Sequence, residues 1–174
     1  MIARPRVFIS YSTHDDVGQR FANELRNVLQ ERNYTDVFYW DHSRQDILGA
    51  PLWGEAGIPM EIKNRDVMIV LCTTTTAASL GVEREYCIAL RYKKLIIPLR
   101  HGDAAIPSGL IELYASFTEQ DYTTVFTIIA ESLPANYRRH CDRLERNRAI
   151  LAATQVISNV NVEPEPQVGE VGPN

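Results

Sequence analysis

The chain has 174 residues, a net charge of −4 and a pI near 5.6, with 45% hydrophobic and 23% charged residues. That length and make-up fit one soluble globular domain with a sizeable core. The acidic balance argues against a nucleic-acid binder, and no run approaches the roughly 18 apolar residues of a membrane span.

Val7-Phe8-Ile9-Ser10-Tyr11-Ser12 opens with bulky apolar residues that give way to hydroxyl side chains. A continuous apolar run of this kind marks a strand buried on both faces. After a polar loop, Val17, Phe21, Ala22, Leu25, Val28 and Leu29 recur at helical spacing, with Asp15 or Asp16 placed to cap the helix. Val37 to Trp40 makes a second, aromatic-rich strand. A long polar loop starts at Asp41, with Gly49 and Pro51 as breakers. Trp53, Ile58 and Ile62 suggest a helix, made irregular or late-starting by Gly57 and Pro59. Val67 to Cys72 is a third, fully apolar strand. Thr73 to Ala78 reads as a flexible small-residue connection, and Ser79 can cap a third helix. Leu95 to Leu99 is a fourth strand, in which Pro98 must lie where no ladder donor is needed. A weaker strand at Ala115 to Phe117 and a helix from Tyr122 to Leu133 complete the alternation.

Beyond Pro134, Arg138, Arg139, Arg143, Arg146 and Arg148 fall in a basic helix with a thin apolar stripe of Tyr137, Cys141, Leu144 and Leu151. Residues 162–174 hold three prolines with several Glu and Gly and read as a linker or disordered tail. The expected division is therefore a domain over 1–134, a helical extension over 135–161 and a tail over 162–174. Such a tail suggests a further domain or partner beyond it. The N-terminus lacks the apolar segment of a signal peptide, and Cys72, Cys87 and Cys141 show no metal-ligand spacing. No metal is expected, and a reducing, cytoplasmic location is the default.

Five strands separated by helices imply an α/β fold with a parallel sheet covered on both faces. The flavodoxin-like order 2-1-3-4-5 is the simplest arrangement, and it opens a crevice at the C-terminal ends of strands one and three. Those ends are Ser10 to Ser12 and Cys72 to Thr76. The third helix brings a carboxylate toward this crevice. Val82, Tyr86, Ala89 and Leu90 share its sheet-facing side, Glu85 lies at the flank of that side, and Glu83 points to solvent. Spacing alone leaves two readings of Glu85: a catalytic carboxylate, or a surface residue favoured near a positive helix end.

The chain resembles a Toll/interleukin-1 receptor (TIR) domain of the bacterial or archaeal kind. The opening Val7 to Ser12 run with Asp15 or Asp16, then Tyr39-Trp40-Asp41, Asp46-Ile47, Gly49 and Trp53, are similar to its first strand, second strand and the following BB loop. Asp66 to Cys72, Ser79 with Glu85, and Ile96 to Leu99 follow in the family's order. The resemblance runs from about Arg6 to Leu133.

In many TIR domains a glutamate matched here by Glu85 is needed to cleave NAD. The resemblance therefore implies an NAD glycohydrolase releasing nicotinamide and ADP-ribose or a cyclic isomer, in prokaryotic anti-phage signalling. NAD is then the substrate and no cofactor is required. A lone carboxylate suffices, because the pyridinium leaving group needs no general acid. An unperturbed Glu, with a pKa of about 4.3, would be anionic at neutral pH and stabilise the ribosyl cation. Ser10, Tyr11 and Ser12 can line the nucleotide site, or Tyr11 can pack under the first helix. Asp41 can accept from a ribose hydroxyl or cap a turn, and Trp53 can line the site or belong to the core. Many NAD-cleaving relatives carry Trp four residues before the glutamate; Gly81 stands there in this chain. The competing reading is a non-catalytic adaptor. Either reading implies self-association through the BB loop, Arg44 to Trp53.

Overall fold

A computed structural model describes residues 4–40, 53–54, 57–110 and 114–160, with the backbone alone for 155–160. Five parallel strands form one sheet: β1 (Val7–Ser10), β2 (Val37–Tyr39), β3 (Val67–Cys72), β4 (Leu95–His101) and β5 (Ala115–Phe117). Their spatial order is β2-β1-β3-β4-β5, the order expected from the sequence. The helices are α1 (Asp16–Glu31), α2 (Ile58–Lys63), α3 (Leu80–Arg91) and α4 (Tyr122–Val160). Asp15 caps α1 by accepting the Val17 N–H at 3.0 Å. Pro59 lies in the first turn of α2, where a missing N–H costs nothing, so this helix begins only at Ile58.

Strand parity divides the interior into two layers. Val7, Ile9, Val67, Ile69, Leu71, Ile97 and Leu99 point to one face and pack under α1 and α4. Phe8, Met68, Val70 and Cys72 point to the other and pack under α2 and α3. Successive strand residues face opposite sides, so a strand buried on both faces must be apolar throughout. That is why β1 and β3 read as unbroken hydrophobic runs. Pro98 is tolerated inside β4 because its missing donor lies on the β5 side, where pairing begins only at Leu99 opposite Ala115. The Pro98 carbonyl still accepts the Tyr114 N–H at 3.0 Å.

The chain separates into two compact units, Met1–Arg138 and Arg139–Asn174. The sequence places a helix end at Pro134, but α4 continues through it. A proline inside a helix cannot donate to the carbonyl four residues earlier, here that of Ala130. The Tyr34 hydroxyl makes that bond instead, at 2.7 Å. Tyr34 and Ala130 are both fully packed, so the carbonyl would otherwise be buried without a donor. A distant tyrosine therefore repairs the ladder that the proline interrupts. In the second unit the described residues are helical, and Leu151, expected on an apolar stripe, is 61% exposed.

Tyr34→Phe is expected to cost about 1–3 kcal/mol, the penalty for a buried polar group left unpaired. Pro134→Ala should recover part of the loss in that background, because alanine restores the N–H. Urea unfolding of the two single variants and the double variant measures the coupling.

Candidate functional site

The chain places β2 on one side of β1 and β3 on the other, so the C-terminal ends of β1 and β3 flank the reversal point of the sheet. A crevice outside those ends is the usual ligand position in such folds. Ser10 closes β1 and shares the parity of Phe8, so its hydroxyl enters the layer beneath α3. There it donates to Glu85 Oε2 at 2.5 Å.

Glu85 is held at this spot by the packing of α3. Ser79 caps the helix, its Oγ accepting the Val82 N–H at 3.4 Å. Val82, Tyr86 and Ala89 then lie on the sheet. Leu90, expected with them, is 51% exposed. At about 100° per residue, Glu85 and Leu90 flank the buried stripe on opposite sides. The Glu85 flank turns inward toward Ser10, and the Leu90 flank turns to solvent. Glu83 is exposed, as its spacing requires.

The sequence expectation of an unperturbed carboxylate needs correction. Glu85 is only 7% exposed, and burial pushes its carboxyl up to about 8, with the Ser10 hydroxyl bond pulling it partly back. At neutral pH the resting side chain is thus mainly the neutral acid. Burial is the physical cause: a charge there loses water and gains one hydroxyl.

Tyr11 departs from the expected site. Its parity follows Val7 and Ile9, so its ring lies in the layer under α1, and its hydroxyl donates to the Trp40 carbonyl. The strand's alternation therefore separates Tyr11 from Glu85. Ser12 is buried just past the strand, and its carbonyl accepts the Asp15 N–H at 3.2 Å. Trp53 packs against the α2–α3 layer, next to Gly81 and under the Arg84 guanidinium. Asp41 and the segment Arg44 to Leu52 lie outside the described residues.

Two features escaped the sequence reading. Thr73 to Ala78 is an ordered polar knot. Thr76 Oγ1 donates to the Leu71 carbonyl at 2.9 Å and accepts the Thr73 N–H at 2.9 Å, and Thr75 Oγ1 donates to Asp15 at 3.3 Å. Threonines that bond their own backbone mimic a turn, and this was the available signal. The second feature is Gly109. A Cβ there would sit 2.6 Å from the Tyr86 ring, so any larger residue would force that ring or the loop to shift. Ile106 and Leu110 from the same loop join the α3 layer. Among the described residues no group of three His, Cys, Asp or Glu is arranged to hold a metal, and no helix is long and apolar enough to cross a membrane.

The sequence matches the TIR domain family over residues 7–130. This chain belongs to the TIR domain family. The match spans every strand and three of the four helices, and ends within α4. No curated protein sequence matches significantly. Among solved structures, the TIR domains of the activated Roq1 resistosome directly recognising the pathogen effector XopQ are similar at 17% identity and a TM-score of 0.47, over 78% of this chain and 80% of that one. A diflavin flavoprotein A3 from Nostoc sp. is similar at 14% identity and a TM-score of 0.48, over 83% of this chain and 99% of that one.

The burial of Glu85 in this TIR domain has a thermodynamic consequence. Its folded carboxyl titrates near 8, against about 4.5 for an ordinary glutamate, so the folded state binds more protons between those values. Stability must then fall as pH rises through that window, by up to about 1.4 kcal/mol per pH unit. Glu85→Gln removes the titrating group. The variant should match the wild type near pH 4 and melt several degrees higher at pH 8, as followed by thermal unfolding across pH.

Proposed function

We propose that this TIR domain is an NAD glycohydrolase with Glu85 as its catalytic residue. The observation that carries the reading is the Ser10–Glu85 pair, a carboxyl buried at the mouth of the sheet's reversal point and held by one hydroxyl. A carboxyl carried into an apolar layer, with no cationic partner among the described residues, is a functional-site candidate on physical grounds.

The chemistry follows from the charge of the substrate. The bond between ribose C1′ and the nicotinamide nitrogen breaks, and its electron pair neutralises the pyridinium. The remaining ribosyl cation develops its charge near Glu85. Water then adds at C1′ and gives up a proton, yielding ADP-ribose; internal attack by the adenylate part gives a cyclic isomer. The neutral resting state of Glu85 fits this sequence. A bound pyridinium favours the ionised carboxylate, so the substrate itself recruits the anion. An unpaired charge is therefore carried only when a cation is present to meet it. At about 4 Å and an effective dielectric near 20, the pair is worth roughly 4 kcal/mol, or about a thousandfold in rate.

Self-association through Arg44 to Trp53 and a cytoplasmic place in anti-phage signalling belong to the same proposal. They rest on the family resemblance. One observation favours the second reading, a non-catalytic adaptor. A carboxyl closed off by Ser10 and neutral at rest also serves as a plain structural link between β1 and α3.

Purified protein incubated with NAD at high concentration, with nicotinamide and ribosyl products separated by chromatography, decides between the readings. Catalysis predicts release of nicotinamide and a loss of about a thousandfold in Glu85→Gln. Full NAD consumption by that variant would falsify the assignment. The free-enzyme titration appears in kcat/KM, which should rise with pH to a midpoint near 8. Ser10→Ala removes the bond that favours the anion and should move this limb to higher pH. A fully active monomer at all concentrations, seen by sizing, would eliminate the self-association requirement.

A further inference from the structure

Past Tyr137 the chain carries its charge in blocks. Residues 138–148 hold Arg138, Arg139, Arg143, Arg146 and Arg148 against Asp142 and Glu145. Residues 149–162 hold no charged side chain, and residues 163–174 hold Glu163, Glu165 and Glu170 and no cation. The backbone is helical through the first block and most of the second, up to Val160. At about 1.5 Å per residue, the stretch from 139 to 160 is about 33 Å long. Every residue from Glu145 to Thr154 is exposed, Ile150 by 64% and Leu151 by 61%. A helix draws most of its stability from packing one face, and a short isolated one is marginal in water. Here nearly three turns show every side to solvent, and two adjacent large apolar side chains point about 100° apart on them. Among the described residues nothing covers this stretch, so the surface that holds it helical has to come from another segment.

We infer that residues 138–174 pair antiparallel with the same segment of a second copy, neutral block on neutral block, with each basic block facing the other copy's acidic residues. The charge pattern selects both the occupant and the direction. A segment that reads basic, neutral, acidic is complementary to itself only when reversed. Pairing centred near residue 155 sets 149–162 on its own copy and brings Glu163, Glu165 and Glu170 level with residues 141–148 of that copy. A parallel pair would instead stack the arginines of 138–148 on one another. Charges that flank an apolar seam commonly set the orientation of paired helices. The twofold relation makes each favourable contact occur twice. Arg143 donates to His140 Nδ1 at 3.2 Å within its own helix. Arg146 and Arg148, both exposed, stand level with Glu165 and Glu163 and should contribute most. The TIR match ends at residue 130, so this contact is separate from association through Arg44 to Trp53 and independent of the NAD reading.

Sedimentation equilibrium of the full chain tests the pairing. Wild type should show twice the mass of the double variant Ile150→Glu with Leu151→Glu at equal concentration, whatever further association the domain makes. Both positions are exposed, so the thermal midpoint of the domain should not change. Arg143→Glu, Arg146→Glu and Arg148→Glu together should raise the dissociation constant about tenfold or more, and so should Glu163→Lys, Glu165→Lys and Glu170→Lys together. The two sets combined should restore wild-type pairing. Direction is read from Cys141 in a Cys87→Ser background. A parallel pair sets the two Cys141 thiols level, and mild oxidation would link them; the antiparallel pair keeps them about 40 Å apart along the helix axis. A wild-type mass equal to that of the double variant, as when residues 163–174 fold back on their own helix, overturns the inference. So does a Cys141-linked dimer, or a charge reversal that the opposite reversal fails to rescue.

Discussion

Side chains on a strand alternate between faces, and the parity of β1 governs the rest of this molecule. Val7 and Ile9 fill the layer beneath α1 and α4; Phe8 fills the layer beneath α2 and α3. Once those three are fixed, Ser10 must face α3 and Tyr11 must face α1. The hydroxyl that reaches Glu85 is thus chosen by where the apolar residues before it have to go. A one-residue slip of β1 would bring Tyr11 toward Glu85 and turn Val7 and Ile9 into the wrong layer. Core packing and site geometry are consequently a single constraint, which makes the Ser10–Glu85 contact hard to lose without unfolding the sheet centre.

That contact carries an opposing cost. Burying Glu85 raises its carboxyl, and one hydroxyl is too little to restore an ordinary value. The other acidic groups near strand ends show the alternative. Asp66 has the Arg6 guanidinium and backbone N–H as partners, and its carboxyl lies below the usual carboxylate range despite partial burial. Asp66 sits at the N-terminal ends of the strands, where such a pair ties β1 to β3. Glu85 sits at the C-terminal ends, where burial dominates and the Ser10 hydroxyl is the partner that offsets it, with no comparable cation among the described residues. The same residue class is therefore stabilised at one end of the sheet and left under electrostatic tension at the other. Tension of this kind is relieved by a cation that arrives from outside, the condition under which a binding site gains most from its ligand.

The fold was legible because its signals are redundant. Apolar runs, helical spacing and caps all agree over β1, β3, α1 and α3, and such agreement leaves a single simple topology. The site was legible only in part. Position along the chain located Glu85 and Ser10 at the right strand and helix ends, but two properties depend on three-dimensional surroundings. The first is parity: Val7 to Ser12 reads as one block, yet adjacent hydroxyls at Ser10 and Tyr11 go to different layers. The second is solvation: the carboxyl's neutral resting state comes from its burial against the sheet, where its one hydrogen-bond partner, Ser10, lies seventy-five residues away in the sequence. Gly109 itself looks like an ordinary loop glycine until the Tyr86 ring is seen against it.

Pro134 shows the same limit with the opposite outcome. Local rules end a helix there, since proline removes a donor and its ring crowds the carbonyl of Ala130. Those rules describe an isolated helix, in which the freed carbonyl has only solvent to turn to. Here it lies in the packed layer, beside a tyrosine in the α1–β2 connection ninety-six residues earlier in the chain. The Tyr34 ring contributes apolar area to that layer, and its hydroxyl meets the one acceptor that the helix cannot satisfy. Tyrosine is suited to the position because phenylalanine would fill the space and leave the carbonyl bare, while a small hydroxyl residue would reach neither. A local defect and a distant polar group are each costly alone inside a core, and together they cancel. Reading such a pair from sequence requires knowing beforehand that α4 packs beside the end of α1, which is the tertiary fold itself.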